Sequence, residues 1–245
     1  MNFELDRLVH AFRRSPFQFS VPCMMIPVLT LLTGAFAGLF HVLSGPDHLT
    51  AVAPLALEGR RRGWLAGWTW GIGHASGVVV VAVLAVLLRD ALPPIDVLSS
   101  WSERLVGGVL IGIGLWALRR SARIQTAAHT HGPLSHQHLL VQAGPGWARR
   151  GGHAHTSFYL GILHGIAGSS HFFGVLPALA LPTRGAAIGY IIAFGVGTIL
   201  AMTAFAAVVG SAGARWTHDR RLHRVMMATA AVLAIVVGGV WLVGS

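Results

Sequence analysis

Lysine is missing from this chain altogether and acids are scarce, eight aspartates and glutamates standing against eighteen basic residues that are all arginine. With 11% charged and 54% hydrophobic residues over 245 positions, there is too little polar surface to wrap a soluble fold of this length. Cysteine is nearly absent as well. The single Cys23 excludes an internal disulfide and any site built from several thiolates, and leaves at most a soft secondary contact at that position. No Gly-rich phosphate loop is present, so the sequence excludes ATP-driven chemistry of that kind. A net charge of +10 would suggest nucleic acid in a soluble protein, but here the arginines flank apolar runs, where they set topology. No nucleic-acid partner is expected.

What is present is a series of apolar runs, each near the roughly 20 helical residues that cross a bilayer. Six spans are expected, at 24–57, 64–88, 102–118, 157–181, 185–212 and 225–243. The first 23 residues read as a polar interfacial segment. Its "AFRRSPF" raises a twin-arginine or signal-peptide reading, which the lack of a small-residue cleavage site before the first span argues against. Twelve arginines follow spans one, three and five, against six on the opposite side. That count places the 119–156 connection in the cytoplasm and both termini outside.

Two stretches answer each other. In "HVLSGPDHLTAVAP" and "HGIAGSSHFFGVLP", a shift of 123 aligns Gly38, His41, Gly45, His48, Val52 and Pro54 with Gly161, His164, Gly168, His171, Val175 and Pro177. "WGIGH" at 70–74 likewise echoes "FGVGT" at 194–198. The expected fold is therefore an all-α membrane protein with six transmembrane helices, built as two three-helix repeats at 24–118 and 157–245. Three spans per copy insert the copies upside down relative to one another, each with a broken first helix, and secondary transporters place their substrate site where such copies meet.

The breaks coincide with ionisable groups. His41, His48, His74, His164 and His171 fall within expected spans, beside one carboxylate, Asp47. Ionisable groups are costly at that depth, so each is a functional candidate. On a helix the seven-residue spacing returns His41 and His48, and likewise His164 and His171, to one face. Imidazole nitrogens with one carboxylate oxygen and no thiolate suit first-row divalent ions such as Ni²⁺, Co²⁺, Zn²⁺ or Fe²⁺. The plain alternative is that such histidines hydrogen-bond carbonyls and pack helices, as the repeated glycines and Met24, Met25 and Met202 do by shape. The 119–156 connection adds His129, His131, His136, His138, His153 and His155, accessory metal contacts in what reads as a polar, coreless loop.

"HVLSGPDHL" resembles the signature of the nickel/cobalt transporter family, a histidine followed at a short interval by Asp-His on an early membrane helix. The six-span size, the second "HG-x-AG" segment and the His-rich connection resemble its smaller UreH-type and Rcn-type branch, within the wider LysE-like superfamily. The resemblance implies metal-ligand roles for Asp47 and His48. Five residues separate His41 from Asp47, where the family pattern has four, and the later acidic motifs of the larger permeases are absent. It further implies a secondary transporter, with Ni²⁺ or Co²⁺ as cargo, in a bacterial cytoplasmic membrane.

The expected function is thus carriage of a divalent transition metal by alternating access, with no enzymatic activity and no resident cofactor. The expected partners are the ion and the bilayer, and a homo-oligomer is compatible with the chain. A LysE-like exporter of a small organic solute and a membrane haem protein with His41 and His164 as axial ligands are the competing readings, distinguishable by histidine substitution and by colour.

Overall fold

A computed structural model describes residues 25–87, 95–131, 134–141, 152–167, 180–216 and 219–244, with Gly174, Pro177 and Ala178. The N-terminal segment, His171 and the second break at Gly168-Ser169 lie outside the described residues.

The first expected span is two helices, α1 (Met25–Ser44) and α2 (Pro46–Gly59), meeting at Gly45. Proline disfavours helical backbone in the residue before it and is at home as the first residue of a new helix. Gly45 accordingly sits in extended conformation, φ −90° and ψ 99°. Its N–H donates to the His41 carbonyl at 3.1 Å, and its own carbonyl accepts from His48 at 3.2 Å and Leu49 at 3.4 Å. One residue therefore closes α1 and opens α2. At the far end of α2, Arg60 takes a left-handed φ of 53°, and Arg60–Arg62 form a 3-10 turn. Glu58 there accepts from Arg120 Nε at 2.8 Å, tying α2 to the last turns of α4.

The remaining helices are α3 (Trp64–Leu87), α4 (Ile95–Ala122), α5 (Gly152–Ala167), α6 (Arg184–Arg215) and α7 (Arg220–Gly244). Thr183 caps α6 by accepting from the Ala186 N–H at 3.1 Å, and Asp219 accepts from Leu222 at 3.0 Å to begin α7, the residue types that favour helix starts. By length and composition, Pro27–Ser44, Ser100–Ala122, Arg184–Arg215 and Arg221–Gly244 can each cross a membrane. Burial runs opposite to that of a soluble protein. Leu32, Phe36, Phe40, Ile188, Ile192, Val208 and Val240 are exposed, whereas Asp47, His48, His74, His164 and Thr198 are buried. So much outward apolar surface needs a lipid solvent. Among the described residues every element of membrane-crossing length is an α-helix, and the chain is a helical membrane protein.

The helix pairings correspond between the two halves of the sequence. The most extensive are α3 with α5, α4 with α7 and α1 with α6, followed by α3 with α6. At the α1–α6 contact a Cβ on Gly38 would collide with the Phe194 carbonyl and lie 3.0 Å from Thr198 N. At the α3–α5 contact a Cβ on Gly161 would collide with the Trp70 carbonyl and lie 3.1 Å from His74 N. Gly161 is Gly38 shifted by 123, and Phe194 and Thr198 are Trp70 and His74 shifted by 124. Gly73 against the Phe158 carbonyl and Gly197 against the Ala35 carbonyl form a second matched pair.

The connection expected as an irregular loop at 119–156 differs in detail. Helix α4 continues to Ala122, β1 (Ile124–His131) and β2 (Leu134–Val141) form a two-stranded antiparallel hairpin, and α5 begins at Gly152. Ile124 pairs with Val141 and Leu140 with Gln125 at its open end, so strand-forming residues anchor a segment whose middle is polar.

Equal disturbance is expected at the two matched contacts. Gly38→Val and Gly161→Val should each cost about 1–3 kcal/mol by overpacking. Thermal unfolding in detergent should show comparable drops in midpoint for the two, and a loss confined to one would contradict the equivalence.

Candidate metal centre

Five of the six intramembrane groups singled out in the sequence converge. His41 comes from the last turn of α1, Asp47 and His48 from the first turn of α2, His74 from the middle of α3 and His164 from the last turn of α5. Both oxygens of Asp47 accept hydrogen bonds, Oδ1 from His48 Nδ1 and Oδ2 from His164 Nε2, each at 3.0 Å. An ionised carboxylate only accepts, so these two nitrogens carry the hydrogens. The position of Asp47 at the start of α2 adds the favourable end of the helix dipole.

His48 is the hub of the cluster. Its ring centroid lies 4.6 Å from that of His41, 4.7 Å from His164 and 5.0 Å from His74. His74 in turn lies 5.8 Å from His41 and 5.7 Å from His164. His48 and His74 are fully buried, and Asp47 and His164 are 2% exposed. His41 is half-buried. The seven-residue spacing that suggested a shared face for His41 and His48 presumed a continuous helix. The structure reaches the same proximity by breaking the helix at Gly45.

Two overlapping donor sets emerge. The ligand atoms of His41, His48 and His74 lie within 4.8 Å of one another, and so do those of Asp47, His48 and His164. Donors on one ion, with bonds of about 2.1 Å, can stand at most about 4.2 Å apart, so either set reaches a coordinating arrangement by a small closure. Gly45 permits this crowding. A Cβ there would run into His48 Nδ1 and stand 2.8 Å from Asp47 Oδ1.

Two aromatic residues missed at the sequence level border the centre. Trp70 of α3 lies 5.9 Å from His164, and Phe194 of α6 lies 5.5 Å from His41, ring centroid to ring centroid. They are matched by a shift of 124, one more than the 123 that relates His41 to His164, and they head the "WGIGH" and "FGVGT" echo that could have revealed them. His48 stands against both His41 and His164, the pair that the haem reading takes as axial ligands.

The other histidines lie elsewhere. His129, His131, His136 and His138 belong to the hairpin, where His129 and His136 are register partners. His153 and His155 fall in the first turn of α5 rather than in a loop, and exposed His155 stands nine residues before His164, about 13 Å along the axis. His171 lies outside the described residues.

Comparison with known proteins gives three relatives. The chain is 36% identical to "Chloroplast protein FOR GROWTH AND FERTILITY 1" of Arabidopsis thaliana over 181 residues, 73% of this chain and 49% of that one. It is also 36% identical to "Chloroplast protein FOR GROWTH AND FERTILITY 2" of the same plant over 182 residues, 73% of this chain and 46% of that one. It thus spans about half the length of these two relatives. Urease accessory protein UreH of Bacillus sp. (strain TB-90) is 28% identical over 219 residues, 87% of this chain and 90% of that one. No family model matches the chain, and no solved structure does. The likeness to UreH extends over most of both chains. The expectation of a bacterial cytoplasmic membrane gives way to a broader one, because two relatives are named as chloroplast proteins.

Adding one methyl group at Gly45 should displace Asp47 and His48 without removing a ligand. For Gly45→Ala, equilibrium dialysis with Ni²⁺ should show affinity lower by about tenfold or more, equivalent to about 1.4 kcal/mol. Unchanged affinity would mean that the close approach at Gly45 does not shape the centre.

Proposed function

We propose that this chain carries a divalent transition-metal ion, Ni²⁺ or Co²⁺, across a membrane, with Asp47, His48, His41, His74 and His164 as its ligands. The observation that carries this reading is the buried convergence of four imidazoles and one carboxylate at the broken first helix. Packing histidines would not need to crowd around a single carboxylate. The donor chemistry supports a borderline ion over Mg²⁺ or Ca²⁺, which prefer oxygen. The likeness to a protein named as a urease accessory protein supports it as well, through the UreH-type branch that the sequence resembles.

The mechanism proposed is alternating access by a six-span secondary transporter made of two inverted repeats. Its support is the exchange of contacts between halves, α1 on α6 answering α5 on α3 with glycines and aromatics at equivalent places. His171, equivalent to His48 by the repeat, belongs to the same proposal as a ligand from the second copy. The chain acts as a carrier rather than an enzyme, and the ion is its cargo rather than a resident cofactor. The hairpin histidines His129, His131, His136 and His138, with His153 and His155 at the start of α5, serve as accessory contacts that raise the local ion concentration on the cytoplasmic side.

Only a neutral imidazole has a lone pair for the ion, so protons compete with the metal for the same nitrogens. Lowering the pH on the loading side therefore opposes loading.

In proteoliposomes containing a metal-sensitive dye, Ni²⁺ or Co²⁺ flux through the native protein should exceed that of Zn²⁺ and Fe²⁺. Asp47→Ala and His164→Ala should each lower it about tenfold or more. Flux surviving both changes would redirect the search to organic solutes. Native flux should also fall as the loading side is acidified from about pH 8 to about pH 5, the interval in which histidine titrates, and a flat profile would remove proton competition from the mechanism.

A further inference from the structure

The five ligand side chains do not act as one cage. Among the described residues they divide into two sets that share His48, and the division follows charge, with the one half-buried member, His41, on the uncharged side. His41, His48 and His74 form a set that includes the half-buried His41, and His74 also lines a cavity of about 490 Å³ between α3 and α6, beside Phe194 and Thr198. The second set, Asp47, His48 and His164, is buried at every member. The first offers only neutral donors. The second contains the carboxylate, and a divalent ion enclosed away from water needs an opposite charge beside it.

We propose that the ion occupies two overlapping positions in succession: an accessible one on His41, His48 and His74, and an occluded one on Asp47, His48 and His164, with His48 a ligand in both. This rests on the metal-transport reading and adds an order of events to it. Transfer exchanges His41 and His74 for Asp47 and His164 while the bond to His48 is kept, so the ion is never stripped of all protein donors. Overlap also makes simultaneous filling unfavourable, since two divalent ions would share one imidazole and one negative charge.

Trp70 provides a local reporter. Its indole lies 5.9 Å from His164 and one helical turn from His74, so a paramagnetic ion in either position lies close enough to quench its fluorescence, and quenching reports loading of the centre. The part of the emission that Trp70→Phe removes is read as Trp70's own.

The experiment mixes purified protein in detergent with Ni²⁺ or Co²⁺ and follows two readouts, the amount of metal retained after desalting and the rate and extent of Trp70 quenching. The native protein should retain about one ion per chain, with Trp70 quenched. His74→Ala should still reach the quenched state, but about tenfold more slowly. His164→Ala should load metal and quench Trp70 at the native rate but retain about tenfold less of it after desalting, and His48→Ala should lose both signals. His74→Gln and His164→Gln, closer in volume to histidine, repeat the comparison where alanine lowers the yield of folded protein.

Identical losses of rate, extent and retained metal in the His74 and His164 variants would overturn the two-position proposal in favour of a single site, while leaving metal binding intact. A native protein that retains no metal and shows no quenching would overturn the transport reading itself, and the relay with it.

Discussion

One carboxylate at membrane depth governs the arrangement of everything near it. Asp47 is 2% exposed, and a lone anion so placed would be costly, so both of its oxygens are taken by imidazoles. Its partners come from different elements, His48 from the same turn of α2 and His164 from α5, 117 residues away. The carboxylate thereby fixes where α5 stands relative to the broken helix. The break is a condition of the same contact, because the extended backbone at Gly45 is what turns Asp47 and His48 toward the remaining histidines.

Much of this was legible in the sequence because its causes are local. Pro46 has no N–H to give and restricts the residue before it, so a break at Gly45 follows from two neighbouring letters. His41, Asp47, His48 and His164 stood out because ionisable groups are rare in apolar runs, and the 123-residue shift related His41 to His164. The helix starts at Thr183 and Asp219 carry ordinary capping chemistry.

The parts that were not legible depend on distances between elements. Trp70 and Phe194 sit on long apolar helices, where an aromatic residue facing lipid and one facing a histidine look alike in sequence. The division of the ligands into two sets depends on which donor atoms lie within 4.8 Å of one another across four helices, which no spacing rule encodes. The hairpin was hidden for a different reason. Its histidines, threonines and glutamine lack the apolar alternation that marks a strand, so the segment read as a loop even though Ile124 and Val141 pair across it.

On the transport reading proposed above, the solitary carboxylate makes the carrier sensitive to voltage in both directions of its cycle. With the imidazoles neutral and Asp47 ionised, the centre bears one negative charge when empty and one positive charge when a divalent ion is seated. Neither form is electrically silent as it reorients. Each elementary charge carried through the full field responds by about 2.3 kcal/mol per 100 mV, and because the returning empty site carries the opposite sign in the opposite direction, a potential that speeds the loaded passage also speeds the empty return. A second buried carboxylate would have left the loaded form neutral, and the second copy carries Ser170 where the first carries Asp47.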